Sequence, residues 1–264
     1  MKRVALLLAV LLLPGAWLGS VSGSGLCASL GQGSAPAAQG ETKLPAAQEI
    51  FDHYTQAIGG REAWQKLNSR VSRGTVRVVG MDGTGTILVY ERAPNQQFST
   101  LTLPNGIVLR EGFDEKGGWE QDADGKVKGL EGARAADTRA EADFYSEVNL
   151  GKIYPHAKTI GQRTADGRLA YVIEASVAGG TPRWLYFDAE NWLHFRTDMF
   201  ENALSPSPTT VLRYDDYRDV DGIKFPYRDS VEGPGANITV RFTVLRHNVT
   251  VTDDELARPV TASN

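Results

Sequence analysis

Four histidines are the first residues to consider for chemistry, because imidazole binds metals and transfers protons near neutral pH. They are His53, His156, His194 and His247. Zinc ligands usually include pairs only a few residues apart, and no two of these histidines have that spacing. The histidines therefore do not predict a metal site.

Two further patterns match parts of known motifs. Asp219-Val220-Asp221-Gly222 resembles a fragment of a calcium-binding loop, but Tyr217 and Arg228 stand where that loop needs acidic ligands. Glu111 and Asp114 would be an acid–base pair in a suitable fold, yet nothing in the sequence selects them. No serine occurs in the Gly-x-Ser-x-Gly elbow of α/β-hydrolases. An enzyme is the weakest of three hypotheses, and no cofactor is expected.

The aromatic residues favour binding over catalysis. Large rings occur on separate predicted strands or at strand ends, and on inward faces they would line an apolar hollow. An ordinary filled core would account for the same rings, so both interpretations stay open. The candidate residues for a hydrophobic ligand site are Ile50, Phe51, Tyr54, Leu101, Leu109, Trp119, Tyr171, Trp184, Tyr186 and Phe195.

The first element that positions these residues is an amphipathic helix over residues 46–58. Apolar residues recur there at the i, i+3, i+4, i+7 spacing of one helix face. Pro45 favours the helix start and Gly59-Gly60 its end. A second short helix carries Trp64 and Leu67 on one face. Both helices are expected to pack on a sheet, where they would also serve as a lid over a cavity.

From Ser69 onward the apolar residues alternate, as is typical of β-strands. Eleven or twelve strands are predicted, joined by short turns such as Asn105-Gly106 and Asp221-Gly222, so neighbours are antiparallel. The alanine-rich residues 131–149 favour a helix at the rim. A sheet of so many strands curls. The predicted fold is mainly β with α: a curved antiparallel sheet of about 11 strands forming an unclosed β-barrel with lid helices.

The N-terminus has the pattern of an export signal. Met1-Lys2-Arg3 is a short basic start, and Val4 to Leu13 is an unbroken apolar run. That run is too short to span a bilayer, which needs about 20 residues, and fits a signal peptide instead. The predicted division is a signal peptide over 1–28, a flexible Gly/Ser/Ala/Pro/Gln-rich tether over 29–43, and one domain over 44–264.

Cys27 is the only cysteine and a poor site for lipid attachment, because Leu26 stands where a small residue is required. The mature protein is therefore expected to be soluble in the periplasm. The net charge is −4 for the whole chain, and the leader contributes two basic residues and no acidic ones. A mildly acidic chain has no general attraction for nucleic acid, so none is expected as a partner.

Several phrases give the sequence a resemblance to the Lol-type periplasmic lipoprotein carriers (LolA/LolB-like), and specifically to their outer membrane lipoprotein-sorting relatives. Together these phrases span nearly the whole mature chain. They are IFDHYTQAIGGREAWQKLNSRVSRGTV, VLREGFDEKGGWEQDADG, LYFDAENWLHFRTDM, YDDYRDVDGIKFP and FTVLRHNVTVTDDELARP. The resemblance implies an unclosed antiparallel barrel of about 11 strands with helices as a lid over a hydrophobic cavity. It also implies binding of lipid or lipoprotein acyl chains, without enzyme activity or cofactor.

The resemblance further implies an arginine that latches the lid, for which Arg73, Arg77 and Arg110 are candidates. The predicted function is a monomeric periplasmic carrier for a hydrophobic ligand, either a lipid or an acylated lipoprotein, with envelope proteins as further candidate partners. The alternative is an envelope interaction or sensor domain with a filled core and no ligand.

Overall fold

One antiparallel sheet of thirteen strands forms the frame of the domain. The computed structural model describes residues 43–260, and the strand order across the sheet is β6-β5-β4-β3-β2-β1-β13-β12-β11-β10-β9-β8-β7. The strands are β1 (Ser69–Val78), β2 (Gly85–Arg92), β3 (Gln96–Thr102), β4 (Val108–Asp114), β5 (Gly117–Gln121), β6 (Val127–Gly129), β7 (Lys158–Ala165), β8 (Arg168–Ala175), β9 (Arg183–Asp188), β10 (His194–Met199), β11 (Thr210–Val220), β12 (Ile223–Gly233) and β13 (Ala236–His247). Because β1 pairs with β13, two halves extend from one central seam, and β6 and β7 are the outer strands.

Short helices connect and cover this sheet. They are α1 (Ala47–Ala57), α2 (Arg61–Gln65), α3 (Gly132–Ala142), a 3₁₀ turn (Ser146–Val148), α4 (Leu150–Ile153) and α5 (Asp253–Leu256). The predicted fold class is confirmed: the protein is mainly β, and its curved sheet does not close. The predicted signal peptide over 1–28, Cys27 and nearly all of the tether over 29–43 lie outside the described residues.

Two details differ from the sequence prediction. The thirteenth strand is β6, whose three residues are too few for an alternating pattern to be recognised. The helix predicted over residues 131–149 is broken at Asp143, which leaves the helical conformation and accepts a hydrogen bond from the Tyr145 amide at 2.9 Å. A side chain that bonds the backbone two residues on forms a turn that competes with the helix.

Within residues 43–260, no helix has both the length and the apolar character needed to cross a membrane.

Helix α1 packs against the concave face of the sheet. Ile50, Phe51 and Tyr54 are all at least 98% buried, which confirms the predicted apolar face. The rings of Phe51 and Tyr54 lie 5.8 Å and 5.4 Å from the ring of Phe187 on β9, in edge-to-face arrangement. Such pairs stabilise a core beyond the area that they bury. The helix therefore fills the middle of the concave side.

A buried ion pair lies on the same concave face, near the central seam. Arg70 of β1 donates two hydrogen bonds to the Glu91 carboxylate of β2, at 2.6 Å and 2.5 Å, and Arg70 is fully buried. Three rings surround the guanidinium carbon, at 4.4 Å for Phe225, 5.4 Å for Phe144 and 5.9 Å for Trp64. These rings come from β12, from the segment after α3, and from α2. The pair therefore joins five parts of the fold through charge and cation–π contact.

Removing one partner of this pair is expected to destabilise the fold strongly. Glu91→Leu leaves the Arg70 charge buried without its carboxylate, which should lower the free energy of unfolding by about 3–5 kcal/mol. The double variant Arg70→Met/Glu91→Leu should regain most of that loss, because two apolar side chains do not need each other's charge. Urea unfolding of the wild type, both single variants and the double variant measures the coupling.

The exposed pair of Lys66 and Glu62, 3.1 Å apart, is the matched control. Glu62→Leu should change the stability by less than about 1 kcal/mol, since surface pairs contribute little. A double variant at Arg70 and Glu91 that is as unstable as Glu91→Leu alone would show that the pair is not the source of the effect.

Candidate functional site

The candidate site is the concave interior together with the segment that closes it. This segment, residues 131–157, joins β6 to β7 and is here called the cover. It contains α3, the 3₁₀ turn and α4. Phe144, Val148, Leu150 and Tyr154 of the cover are buried in the same core as α1 and the concave strands. The cover therefore fills space that the sheet alone would leave open.

The first half of the sheet holds the cover through Arg134. This arginine of α3 pairs with Glu120 of β5 and lies 3.7 Å from Glu111 of β4. Glu111 and Glu120 are neighbours in the β4–β5 register and are both buried. Burial raises the pKa of Glu111 well above its usual range, and the charge of Arg134 offsets this only in part. Arg134 thus approaches two buried carboxyl groups, one of which, Glu120, also pairs with Lys128 of β6 at 2.7 Å.

The second half of the sheet holds the same helix through Arg183. This buried arginine of β9 pairs with Asp137 of α3, and its other terminal nitrogen lies 3.6 Å from Glu141, one turn further along. The Asp137 carboxylate also accepts a hydrogen bond from the Thr181 amide at 3.1 Å. Helix α3 is therefore joined to both sides of the opening. It supplies the cation toward β4 and β5, and it supplies the carboxylates toward β9.

Between α3 and the sheet, two tyrosine hydroxyl groups form hydrogen bonds within the core. The Tyr54 hydroxyl donates to Glu147 of the cover at 2.7 Å, and the Tyr217 hydroxyl donates to the His194 carbonyl at 2.6 Å. His194 is fully buried, and burial lowers its pKa to about 3. So weak a base does not take up protons at neutral pH, and His194 is therefore a poor candidate for acid–base catalysis.

Little space remains beneath the cover at the centre of the concave side. The cavity lined by Glu141, Glu147, Tyr154, Arg183 and Tyr214 leaves about 20 Å³ for solvent. That volume holds roughly one water molecule. At this place the interior is closed, so an apolar ligand enters here only if the cover moves.

Six of the ten predicted site residues are on the concave side. Five belong to the main core, namely Ile50, Phe51, Tyr54, Leu101 and Leu109, and Tyr171 packs against it. Tyr171 stacks on Trp192 with 5.2 Å between ring centroids, and Trp192 stacks on His53 of α1 at 4.2 Å. This stack of three rings attaches the polar flank of α1 to the sheet.

The other four, Trp119, Trp184, Tyr186 and Phe195, are on the convex side, so their expected inward orientation is wrong. Tyr186 and Phe195 form a separate small cluster there, with Trp184 packed against it. Trp119 pairs with Gly112 across β4 and β5 and packs on Phe98, away from Leu101 and Leu109. Each of these convex rings is covered by an arginine: Trp184 by Arg163 at 4.4 Å, Phe195 by Arg168 at 5.0 Å, Tyr186 by Arg196 at 5.2 Å and Trp119 by Arg258 at 5.8 Å.

The expected latch arginines are also misplaced. Arg73 and Arg77 are exposed, and Arg110 bonds Gln121 at 2.7 Å. The ion pairs between α3 and the sheet are instead made by Arg134, on the helix, and Arg183, on β9, which the sequence reasoning missed. Alternation could have found the second, since Arg183 shares a strand face with Leu185 and Phe187. A charge in register with core residues is a candidate for burial with a partner.

Comparisons with known proteins were made in sequence and in structure. No protein-family model matches the chain, and no curated protein matches its sequence. A LolA superfamily protein from Nitrosomonas europaea matches in structure over 81% of this chain and 99% of its own, with a TM-score of 0.55 and 12% identity. The chain shares its fold with this protein.

Two more solved structures share this LolA-type fold. A DUF1329 family protein from Desulfovibrio piger has a TM-score of 0.56 and 14% identity, over 80% of this chain and 96% of its own. A domain from Vibrio parahaemolyticus that is named for outer membrane lipoprotein sorting has a TM-score of 0.52 and 10% identity, over 79% and 94%. At these identities the likeness is one of fold.

Glu141, a carboxyl group of the cover, makes the free energy of unfolding depend on pH. Burial raises the pKa of Glu141 from 4.5 to about 7, with Arg183 opposing the shift. Between those values the folded protein keeps a proton that the unfolded chain releases, so the free energy of unfolding falls as pH rises through this window. At about 1.4 kcal/mol per pKa unit, the loss amounts to at most about 3.5 kcal/mol.

Glu141→Gln should therefore flatten the stability profile between pH 4.5 and 7 and should be more stable than the wild type at pH 8. Urea unfolding at several pH values measures this. Glu115→Gln, at an exposed position, should leave the profile as it is. Parallel profiles for the wild type and Glu141→Gln would contradict the assignment.

Proposed function

We propose that this protein is a periplasmic carrier for an apolar ligand, in its closed and ligand-free conformation. The observation that carries the proposal is the mixed attachment of the cover. The wall behind it is apolar, with Ile87, Leu101 and Leu109 in one row across β2, β3 and β4. Helix α3 is held in place by ion pairs, which can exchange for water when the segment moves.

Release of the cover would expose the surface that an acyl chain needs. Phe144, Val148 and Leu150 would leave the concave side, and a ligand would replace their contacts with the wall. Burial of its apolar surface would contribute about 25 cal/mol per Å². Binding by this route should depend little on salt, because screening acts on exposed charges.

Two further observations support the proposal. The basic start and the apolar run of Val4 to Leu13 favour export, and they lie in the part of the sequence outside the described residues. The chain also shares its fold with a LolA superfamily protein and with a domain named for outer membrane lipoprotein sorting. The proposed role is binding and release, with no chemical step.

A second candidate function follows from the filled interior. With about 20 Å³ of solvent space under the cover, the domain could instead be an interaction module that never opens. The two candidates differ in one respect that can be tested, namely whether ligand binding requires the cover to separate from the sheet.

A disulfide between β5 and α3 makes that test. A Cβ built on Gly118 would lie 3.4 Å from the Thr138 Cβ, close to the usual Cβ–Cβ distance of about 3.5–4.5 Å in disulfides. Gly118→Cys/Thr138→Cys, with Cys27→Ser to remove the natural thiol, should therefore lock the cover. The Leu130 side chain, 3.0 Å from the same built Cβ, must shift slightly.

We expect delipidated wild type to bind a fluorescent fatty acid at micromolar concentration. The oxidised double-cysteine protein should lose at least tenfold in affinity, and reduction should restore it, because only the bridge differs between the two forms. Thr138→Cys alone, in the same Cys27→Ser background, controls for the substitutions. Equal binding by the oxidised and reduced forms would refute entry under the cover. Absence of binding to the delipidated wild type would favour the interaction module.

A further inference from the structure

A second hollow lies outside the covered interior, at the end of the sheet where the β8–β9 and β10–β11 connections meet the start of β7. Its volume is about 320 Å³, which is within the range of small-molecule sites. We call it the rim pocket, and its lining includes Trp184, Phe200 and Pro182. It is far larger than the space beneath the cover and is open to solvent without any movement.

Aromatic and apolar side chains form one part of the rim pocket. The rings of Trp184 and Phe200 lie 4.8 Å apart at an angle of 58°. Ala203 also lines the pocket, and the next residue, Leu204, is 93% exposed. An exposed leucine beside an aromatic pocket is suited to contact with the apolar part of an amphiphile.

Another part of the rim pocket carries one positive and one negative side chain. Lys158 of β7 and Glu174 of β8 are direct neighbours in the strand register, and both line the pocket. Among residues 43–260, Lys158 and Glu174 form no ion pair with each other or with any other residue. Ser176, Ser205 and His156 add further polar groups. A neighbouring cation and anion, both accessible, match a ligand that carries a negative and a positive group a few ångströms apart.

The rim pocket is connected to the cover through one residue. Arg183 lines both the rim pocket and the small cavity under the cover, and it pairs with Asp137 and approaches Glu141 of α3. The two hollows are therefore adjacent at the start of β9.

We infer that the rim pocket receives the zwitterionic headgroup of a phospholipid, a phosphate next to an ammonium group. The phosphate faces Lys158, and the ammonium group faces Glu174. The inference rests on the proposed function, because it names the ligand class whose acyl chains would enter beneath the cover.

Short-chain lipids below their micellar concentration test the headgroup. Calorimetry and tryptophan emission would compare dihexanoyl phosphatidylethanolamine, which is zwitterionic, with dihexanoyl phosphatidylglycerol, which is anionic, and with free phosphoethanolamine. The wild type should prefer the zwitterionic lipid by about three- to tenfold, the scale of one partly exposed charge contact. Free phosphoethanolamine should bind more weakly than the lipid, because it lacks the part that contacts Phe200 and Leu204.

Single charge removals give the specific signature. Glu174→Gln should abolish the preference by weakening the zwitterionic lipid alone, whereas Lys158→Gln should weaken both lipids. Glu115→Gln, on an exposed turn elsewhere, is the control and should change neither. A wild type that binds both lipids equally, or a Glu174→Gln variant that keeps the preference, would overturn the inference. So would free phosphoethanolamine binding as tightly as the lipid.

Fatty acid binding distinguishes a failure of the carrier proposal from a failure of the headgroup proposal. The fluorescent fatty acid enters under the cover, so Glu174→Gln should leave its binding unchanged. Loss of fatty acid binding in the wild type, with the lipid preference intact, would refute the carrier and leave the headgroup site standing.

Discussion

The buried pair of Arg70 and Glu91 is the interaction on which the rest of the fold depends. A charge with no access to water must be enclosed together with its partner, because either one alone would cost several kcal/mol. The enclosure here consists of Trp64, Phe144 and Phe225, so α2, β12 and, in the closed state, the cover meet at this pair. Apolar packing would tolerate many arrangements of these parts, whereas the ion pair with its rings favours one.

The same physical pattern recurs where the cover meets the two halves of the sheet. Arg134 and Arg183 are positioned on opposite sides of the opening, and each faces carboxyl groups that have little access to solvent. Contacts of this kind specify a position without adding much net stability, since desolvation offsets most of the attraction. A segment held in this way has a defined closed state and a moderate cost of leaving it. That combination suits a domain that must close over its contents and also release them.

Alternation of residues predicts a sheet well and predicts its faces only when one face is polar. Leu101 lies in the core, as its alternation with Thr100 and Thr102 predicts. The stretch Arg183–Asp188 is buried on both faces, so its period cannot tell inside from outside, and Trp184 and Tyr186 were misplaced. Trp119 depends on Gly112 and Arg258, distant residues that no local pattern connects. The charged contacts of the cover were missed because an arginine on a strand is normally read as solvent-exposed.

The central seam has a consequence for how the chain reaches this structure. Strand β1 forms its second set of hydrogen bonds with β13, where Arg70 is opposite His247. Closing so long a loop is slow, because its entropy cost precedes the contacts that repay it. During synthesis β1 must wait for the last strand with one edge unpaired, and an unpaired edge is a template for joining the wrong chain. The strand at the middle of the finished sheet is thus an exposed edge for most of the time that the protein is being made, and protection from aggregation is needed there rather than at β6 or β7.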